Sequence, residues 1–170
     1  KRPLIPCFWR PGTDNDFGAS SQTKLKLWKN IMDSAVLQSV KIDQGNIIIT
    51  HAVLNGDAVL VTEFALGTDQ FIKVKCSFKK IKGEYPMLMR FGLQMNINSE
   101  YSSLNWYGRG PWENYNDRKN AALINTYKAN AGELWHPYIR PQETAHFTDV
   151  RRASFLNKAN KGIEIQQWNT

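Results

Sequence analysis

Two glutamates sit in stretches rich in aromatic rings. Glu113 lies inside the run Trp106-Tyr107-Gly108-Arg109-Gly110-Pro111-Trp112-Glu113-Asn114-Tyr115-Asn116-Asp117-Arg118. Glu143 closes a second aromatic stretch that holds Trp135, His136, Tyr138 and Gln142. Glycosidases act with two carboxyl groups about 5 to 10 Å apart, one as acid and one as nucleophile or base. Flat aromatic faces beside Asp, Glu, Asn and Arg also suit a polyol. The same residue types build structural networks, because carboxylates and guanidiniums lock loops through bidentate pairs. Two readings therefore stand for Trp106, Arg109, Trp112, Glu113, Asn114, Tyr115, Asp117 and Arg118: an ion-pair knot in a large β-loop, or a sugar site.

Other chemistries find less support. His51, His136 and His146 have no metal-ligand spacing. His51 falls in a strand, as a core or sheet-face histidine does, and His136 alone lies near a plausible sugar surface. Asp14, Asn15 and Asp16 resemble the start of a calcium loop, but a closing Glu about twelve residues on is absent, and short Asx side chains more often make turns. No Ser, Cys or Lys is set up with a base, and Gly108-Arg109-Gly110 lacks the third glycine and following helix of a phosphate loop. Cys7 and Cys76 fit no disulfide framework and read as free thiols.

The elements that would hold these residues are mostly strands. Gly108 and Gly110 permit positive φ or a close backbone approach, and Pro111 fixes φ, so the Trp106–Arg118 run reads as a loop of specified shape. A cap at Ser20 or Ser21 and apolar residues at Leu25, Trp28, Ile31 and Met32 predict one short helix near 20–33. From Ala35 onward the pattern is β. Residues 47–54 and 57–66 flank Asn55-Gly56, which predicts a two-residue type I′ hairpin. Phe71, Val74, Cys76 and Phe78 predict a further strand, with a one-residue phase change from Phe71 to Val74 that marks either a bulge or an unsettled register. Met87, Met89, Phe91, Leu93, Met95 and Ile97 alternate strictly, predicting a long strand with a buried methionine-rich face. Weaker strand signals follow at 121–127, 146–155 and 163–168, around a turn at 130–133 and a loop at 135–143. Many strands, hairpin turns and few helices predict a mainly β, antiparallel sandwich in a single domain over 1–170.

Composition bounds the class. The chain has 170 residues, 42% hydrophobic and 22% charged, with a formal charge of +7. The lysines are scattered along strand faces, and no basic helix or zinc pattern accompanies them, which argues against nucleic acid as a partner. No apolar run nears the roughly 18 residues of a membrane span, and the start has no signal-peptide h-region.

Four motifs in order carry a resemblance. Trp106, Gly108, Gly110-Pro111, Glu113-Asn114-Tyr115 and Asp117-Arg118 resemble the W-x-G-x-G-P-x-E-N-Y-x-D-R signature of the β-galactosidases of glycoside hydrolase family two. Phe8-Trp9-Arg10-Pro11 with Thr13-Asp14-Asn15-Asp16-Phe17-Gly18 resembles the opening W-R-A-P-T-D-N-D-x-G, Arg90-Phe91-Gly92-Leu93 the P-R-φ-G segment, and Pro137 to Glu143 the P-Y-x-x-P-Q-E segment. The resemblance implies the N-terminal part of the C-terminal small-chain domain, a galactose-mutarotase-like supersandwich left incomplete. It implies a parent enzyme that hydrolyses terminal β-D-galactosyl residues with two glutamates in a barrel domain, so that this chain carries no catalytic residue. It further implies an entrance loop at Asp14, Asn15, Asp16 and Gly18, read as flexible; sugar-contacting or loop-fixing positions among the aromatic and polar residues named above; and no cofactor here, with any Mg or Na of the parent bound elsewhere. Implied partners are the parent's other domains, its β-galactoside substrate and, through the parent, further subunits; the compartment stays open between bacterial cytoplasm and periplasm. The rival is a non-catalytic carbohydrate-binding sandwich. The sequence departs from the family pattern at Thr144-Ala145-His146 and at Arg152, departures expected to leave the central motif untouched.

Overall fold

The computed structural model describes residues 4–67 and 71–168. It is mainly β, with three antiparallel sheets among the described residues. The chain divides into two compact units, Lys1–Asn96 and Ile97–Thr170.

The first unit contains β1 (Ile5–Cys7), α1 (Asp14–Gly18), α2 (Ser21–Lys24), a 3-10 segment (Lys26–Ser34), β2 (Val36–Asp43), β3 (Asn46–Val53), β4 (Ala58–Leu66), β5 (Ile72–Lys80) and β6 (Gly92–Gln94). Strands β2-β3-β4-β5 form one meander, and β1 pairs with β6. The register aligns His51, Leu60 and Phe78 across the meander, and Val53 with Ala58 beside them. Side chains alternate across a sheet, so these share one face. Phe8, Trp28 and Ile31 pack on that end of it, with Val53, Leu54, Ala58 and Leu60 buried beneath. Trp28 and Ile31 point inward at the expected helical spacing, although the helix is α only over Ser21–Lys24 and 3-10 thereafter. At the other end of the same face Val40, Ile42, Ile47, Leu66 and Ile72 are exposed.

Three sequence expectations need correction here. The β3–β4 connection is not a two-residue turn: Val53 pairs with Ala58, leaving Leu54–Asp57 as the loop. Leu54, Asn55 and Gly56 all take positive φ, and this lets the Leu54 side chain turn into the core, where it is 7% exposed. Burial of a leucine offsets the backbone strain. The bulge expected near Phe71 is absent, since β4 and β5 pair without a break from Ala58↔Lys80 to Leu66↔Ile72; the irregularity lies in β2 between Leu37 and Ser39. The stretch 87–97 forms only three residues of strand. Met87 and Leu93, expected inside, are 78% and 38% exposed. Its anchors recur every third residue instead: Tyr85 and Leu88 pack on the core, and Phe91 meets the rings of Phe8 and Phe78. The indole of Trp28 donates to the Met87 carbonyl (3.1 Å) and pins the strap.

The second unit contains β7 (Ser103–Gly110), β8 (Leu123–Asn130), a 3-10 turn (Ala131–Leu134), β9 (Arg152–Leu156) and β10 (Gly162–Gln166), in sheet order β10-β9-β7-β8. Strand β7 is central, and its buried positions Leu104, Trp106, Gly108 and Gly110 alternate. The turn after β8 is capped at both ends of its first loop: the Asn130 side chain accepts from the Gly132 amide, and Glu133 accepts from the Asn130 amide.

Trp28→Ala is expected to lower stability by about 3 to 5 kcal/mol, because its ring is buried in this core. Leu93→Ala, on an exposed position, changes it by only about 0.5 kcal/mol. Urea unfolding of the two variants checks the order; an equal loss would return the 87–97 face to the core.

Candidate functional site

The central motif begins as strand. Trp106 to Gly110 complete β7, and the loop starts only at the cis Gly110–Pro111 bond. Neither Gly108 nor Gly110 has positive φ; both serve close approach. A Cβ at Gly108 would lie 2.7 Å from the Val150 Cα, and one at Gly110 would lie 2.7 Å from the Tyr127 ring and 3.0 Å from the Trp106 ring. Side chains at either position would push apart the layers that hold the loop. Trp106 packs against Tyr127 and Phe147 and donates its indole N–H to the Arg109 carbonyl.

Asn114 is the centre of the loop and is fully buried. Its Oδ1 accepts from the Thr148 amide (2.9 Å) and hydroxyl (2.6 Å), and its Nδ2 donates to the Trp112 carbonyl (3.1 Å). Its backbone N–H donates to the His146 carbonyl, and its carbonyl lies 2.7 Å from His146 Nδ1. One side chain thereby ties residues 112 and 148 together, and its backbone adds residue 146.

Glu113 is held from three directions. Oε1 accepts from Arg118 Nη2 (2.8 Å) and from the Tyr138 hydroxyl, and Oε2 accepts from the Ala145 amide (2.9 Å). Its side chain is 12% exposed. Burial opposes its ionisation, but the hydrogen bonds from Tyr138, Arg118 and Ala145 outweigh that, and its pKa lies below the ordinary glutamate value. The Arg118 guanidinium stands over the Tyr115 ring, which stacks on His146 at 4.4 Å. Burial, followed by the charges of Glu143 and Glu113, pushes the Tyr115 hydroxyl pKa up. Tyr115 donates to the Glu143 carbonyl (3.3 Å), and the Glu143 side chain is itself buried. The departures at Ala145 and His146 therefore do reach the central motif, against expectation: Ala145 supplies an amide to Glu113, and His146 stacks on Tyr115.

Arg109 points away from this cluster. Its Nε donates to Asp149 (2.6 Å), and its Nη1 donates to the carbonyls of Lys119 and Ala122. That hydrogen bond from Arg109 holds the Asp149 carboxyl below its usual range. Asp117 is exposed, and Arg118 pairs with Glu113 rather than with it. His136 is exposed with its ring edge-on to Tyr138, and Gln142 is half-buried. Asp149, Thr148 and Thr144 are parts of the same fabric that residue type alone did not single out. Their role depends on contacts more than thirty positions away for Thr148 and Asp149, and eight to ten for Thr144.

In the first unit the segment from Asp14 to Gly18 is not the flexible loop expected. It is α1, with Asp16 Oδ2 accepting from the Thr13 amide and hydroxyl and from Arg10 (2.6 Å). Burial works against the Asp16 charge, and the bonds from Thr13 and Arg10 win, lowering its pKa. Gly18 does not have positive φ, and a Cβ there would touch nothing within 4 Å. Among the described residues no three His, Cys, Asp or Glu side chains gather as a metal would need, and no helix is long and apolar enough to cross a membrane. Cys7 and Cys76 are free thiols.

An open groove of about 590 Å³ borders the loop, lined by Pro111, Trp112, Glu113 and Arg118 on one side and by Glu133 to His136 on the other. The chain matches a family model described as "Beta galactosidase small chain" over residues 1–170. The chain belongs to the β-galactosidase small-chain family. Similar curated proteins include a β-galactosidase of Priestia megaterium, 33% identical over 165 residues, covering 95% of this chain and 16% of that protein. Another, from Halalkalibacterium halodurans, is 28% identical over 172 residues, covering 97% and 17%. A β-galactosidase of an Arthrobacter species is 40% identical over 62 residues, 36% of this chain and 6% of that protein. The small-chain sequence in hand thus spans about a sixth of the length of the curated relatives it matches first, and it is part of a larger protein.

Asn114→Ala in this small-chain unit strands two donors and a carbonyl, each costing about 1 to 3 kcal/mol. It should therefore destabilise far more than Arg118→Ala, whose half-exposed ion pair contributes about 1 kcal/mol or less. Thermal unfolding ranks the two, and equal losses would remove Asn114 from the centre. Glu113→Gln probes charge. Because the folded pKa of Glu113 is depressed, its contribution is full above the unfolded value of about 4.3 and is lost as pH falls through the folded value. The stability gap between wild type and E113Q should persist from neutral pH down to that range and close below it; a gap that widens in acid would contradict the network.

Proposed function

We propose that this chain is a non-catalytic part of a β-galactosidase that hydrolyses terminal β-D-galactosyl residues with glutamates carried elsewhere in the polypeptide. Its task is to pack against the parent's other domains and to shape the active-site entrance with the α1 segment. The observation that carries this reading is the state of Glu113. A general acid needs a raised pKa, and a nucleophile needs an open approach. Glu113 has a lowered pKa and spends its oxygens on Arg118, Tyr138 and Ala145. Those are the attributes of a loop-fixing carboxylate. The relatives named β-galactosidase, of which this chain covers a sixth, supply the parent activity. Any Mg or Na of that parent, like further subunits, belongs to the rest of the protein.

In α1, Arg10 and Thr13 hold Asp16 in a fixed orientation, so the entrance role rests on a rigid element rather than on a hinge. Asp16→Ala in the full-length parent should raise KM for o-nitrophenyl β-D-galactopyranoside with kcat little changed, the mark of lost ground-state positioning. Gly18→Ala should leave both constants as they are, because its added methyl meets nothing. Unchanged kinetics for Asp16→Ala would end the entrance role. A full-length parent that binds galactosides without turning them over would favour the rival, a carbohydrate-binding module.

A further inference from the structure

From the groove beside the central motif we infer a carbohydrate-binding surface on the second unit, built to stack a pyranose ring between Trp112 and Trp135. It does not rest on the function proposed above. Both indoles are outward, 62% and 66% exposed, although large aromatics ordinarily bury most of their surface. They line the same opening, whose volume of about 590 Å³ falls within the roughly 300 to 1,000 Å³ of small-molecule sites.

Both tryptophans are carried on backbone fixed from behind. The buried Asn114 amide donates to the Trp112 carbonyl. The Thr144 hydroxyl accepts from the His136 amide (3.0 Å) and donates to the Leu134 carbonyl (3.4 Å), holding the chain on both sides of Trp135. Loops held this way lose little freedom when a ligand arrives, which favours binding. Glu133, His136 and the half-exposed Arg118 line the same opening. One Glu133 oxygen accepts from Asn130, and a carboxylate has further acceptor capacity. Acceptor, donor and imidazole around two flat faces match a ring with an apolar C–H face and a rim of hydroxyls. The centre of a protein interface, by contrast, is depleted of charge.

The test uses the full-length parent. Limited oxidation with N-bromosuccinimide, followed by peptide mass spectrometry, reads Trp112 and Trp135 individually. The probes are methyl 1-thio-β-D-galactopyranoside and methyl α-D-galactopyranoside, which lack the O-linked β-galactosyl bond that the parent hydrolyses, with sorbitol as an open-chain control. The expected result is that both tryptophans react in the free protein and that a cyclic sugar, unlike sorbitol, slows them about tenfold once present at ten times its Kd. Trp112→Ala should abolish protection of Trp135 by either cyclic sugar. Two outcomes overturn the inference. Tryptophans already unreactive without sugar would show that another part of the polypeptide covers the groove. Reactive tryptophans that neither sugar protects would show that it takes no pyranoside.

Discussion

The carboxamide of Asn114 has no contact with solvent, and so it must find its partners inside the protein. A buried amide left unpaired costs more than a paired one contributes, so its presence obliges the surrounding chain to arrive in one arrangement. Thr148 must offer both its amide and its hydroxyl, and Trp112 must present its carbonyl. Once these are met, the loop after β7 and the segment before β9 are tied together, and the other contacts follow. Glu113 then faces the Ala145 amide, Tyr115 faces His146, and Arg109 reaches Asp149. The glycine at 108 belongs to the same requirement, since a methyl there would push the Asp149–Val150 segment off the sheet, while one at Gly110 would meet the rings of Tyr127 and Trp106.

Charge follows from this geometry. Glu113 is placed where three donors converge, and they keep it ionised despite burial. A carboxylate in that setting can organise a loop. Asp16 in the first unit repeats the solution on a smaller scale, with Thr13 and Arg10 as donors. In both, a residue type associated with glycosidase chemistry is consumed by structure.

Much of this was readable in residue order. The mainly β antiparallel fold, the inward Trp28 and Ile31, the pairing of β3 with β4 and the family all follow from patterns that lie within a few tens of residues. The misses have physical causes. Alternation at 87–97 satisfies a strand pattern, but a strand needs a partner, and β1 offers only three residues to pair with. Asn55-Gly56 favours a tight turn, but burial of Leu54 wins over turn preference. Asp14-Asn15-Asp16 reads as a flexible polar loop until Asp16 is seen to reach back to Thr13. In the central motif the residue types were legible but not their partners. Arg118 had two acidic neighbours to choose from, and only the fold selects Glu113 over the exposed Asp117. Trp135 gave no signal beyond its place beside His136; its significance comes from sharing an opening with Trp112.

The central claim is that Glu113 organises structure and performs no chemistry. Steady-state kinetics of the full-length parent carrying Glu113→Gln, normalised to the folded fraction, test it most directly. The account predicts kcat on a chromogenic β-galactoside within about threefold of wild type, because no interaction unique to the transition state is removed. A fall of about a thousandfold or more in properly folded enzyme, of the size seen when a catalytic group is deleted, would contradict it.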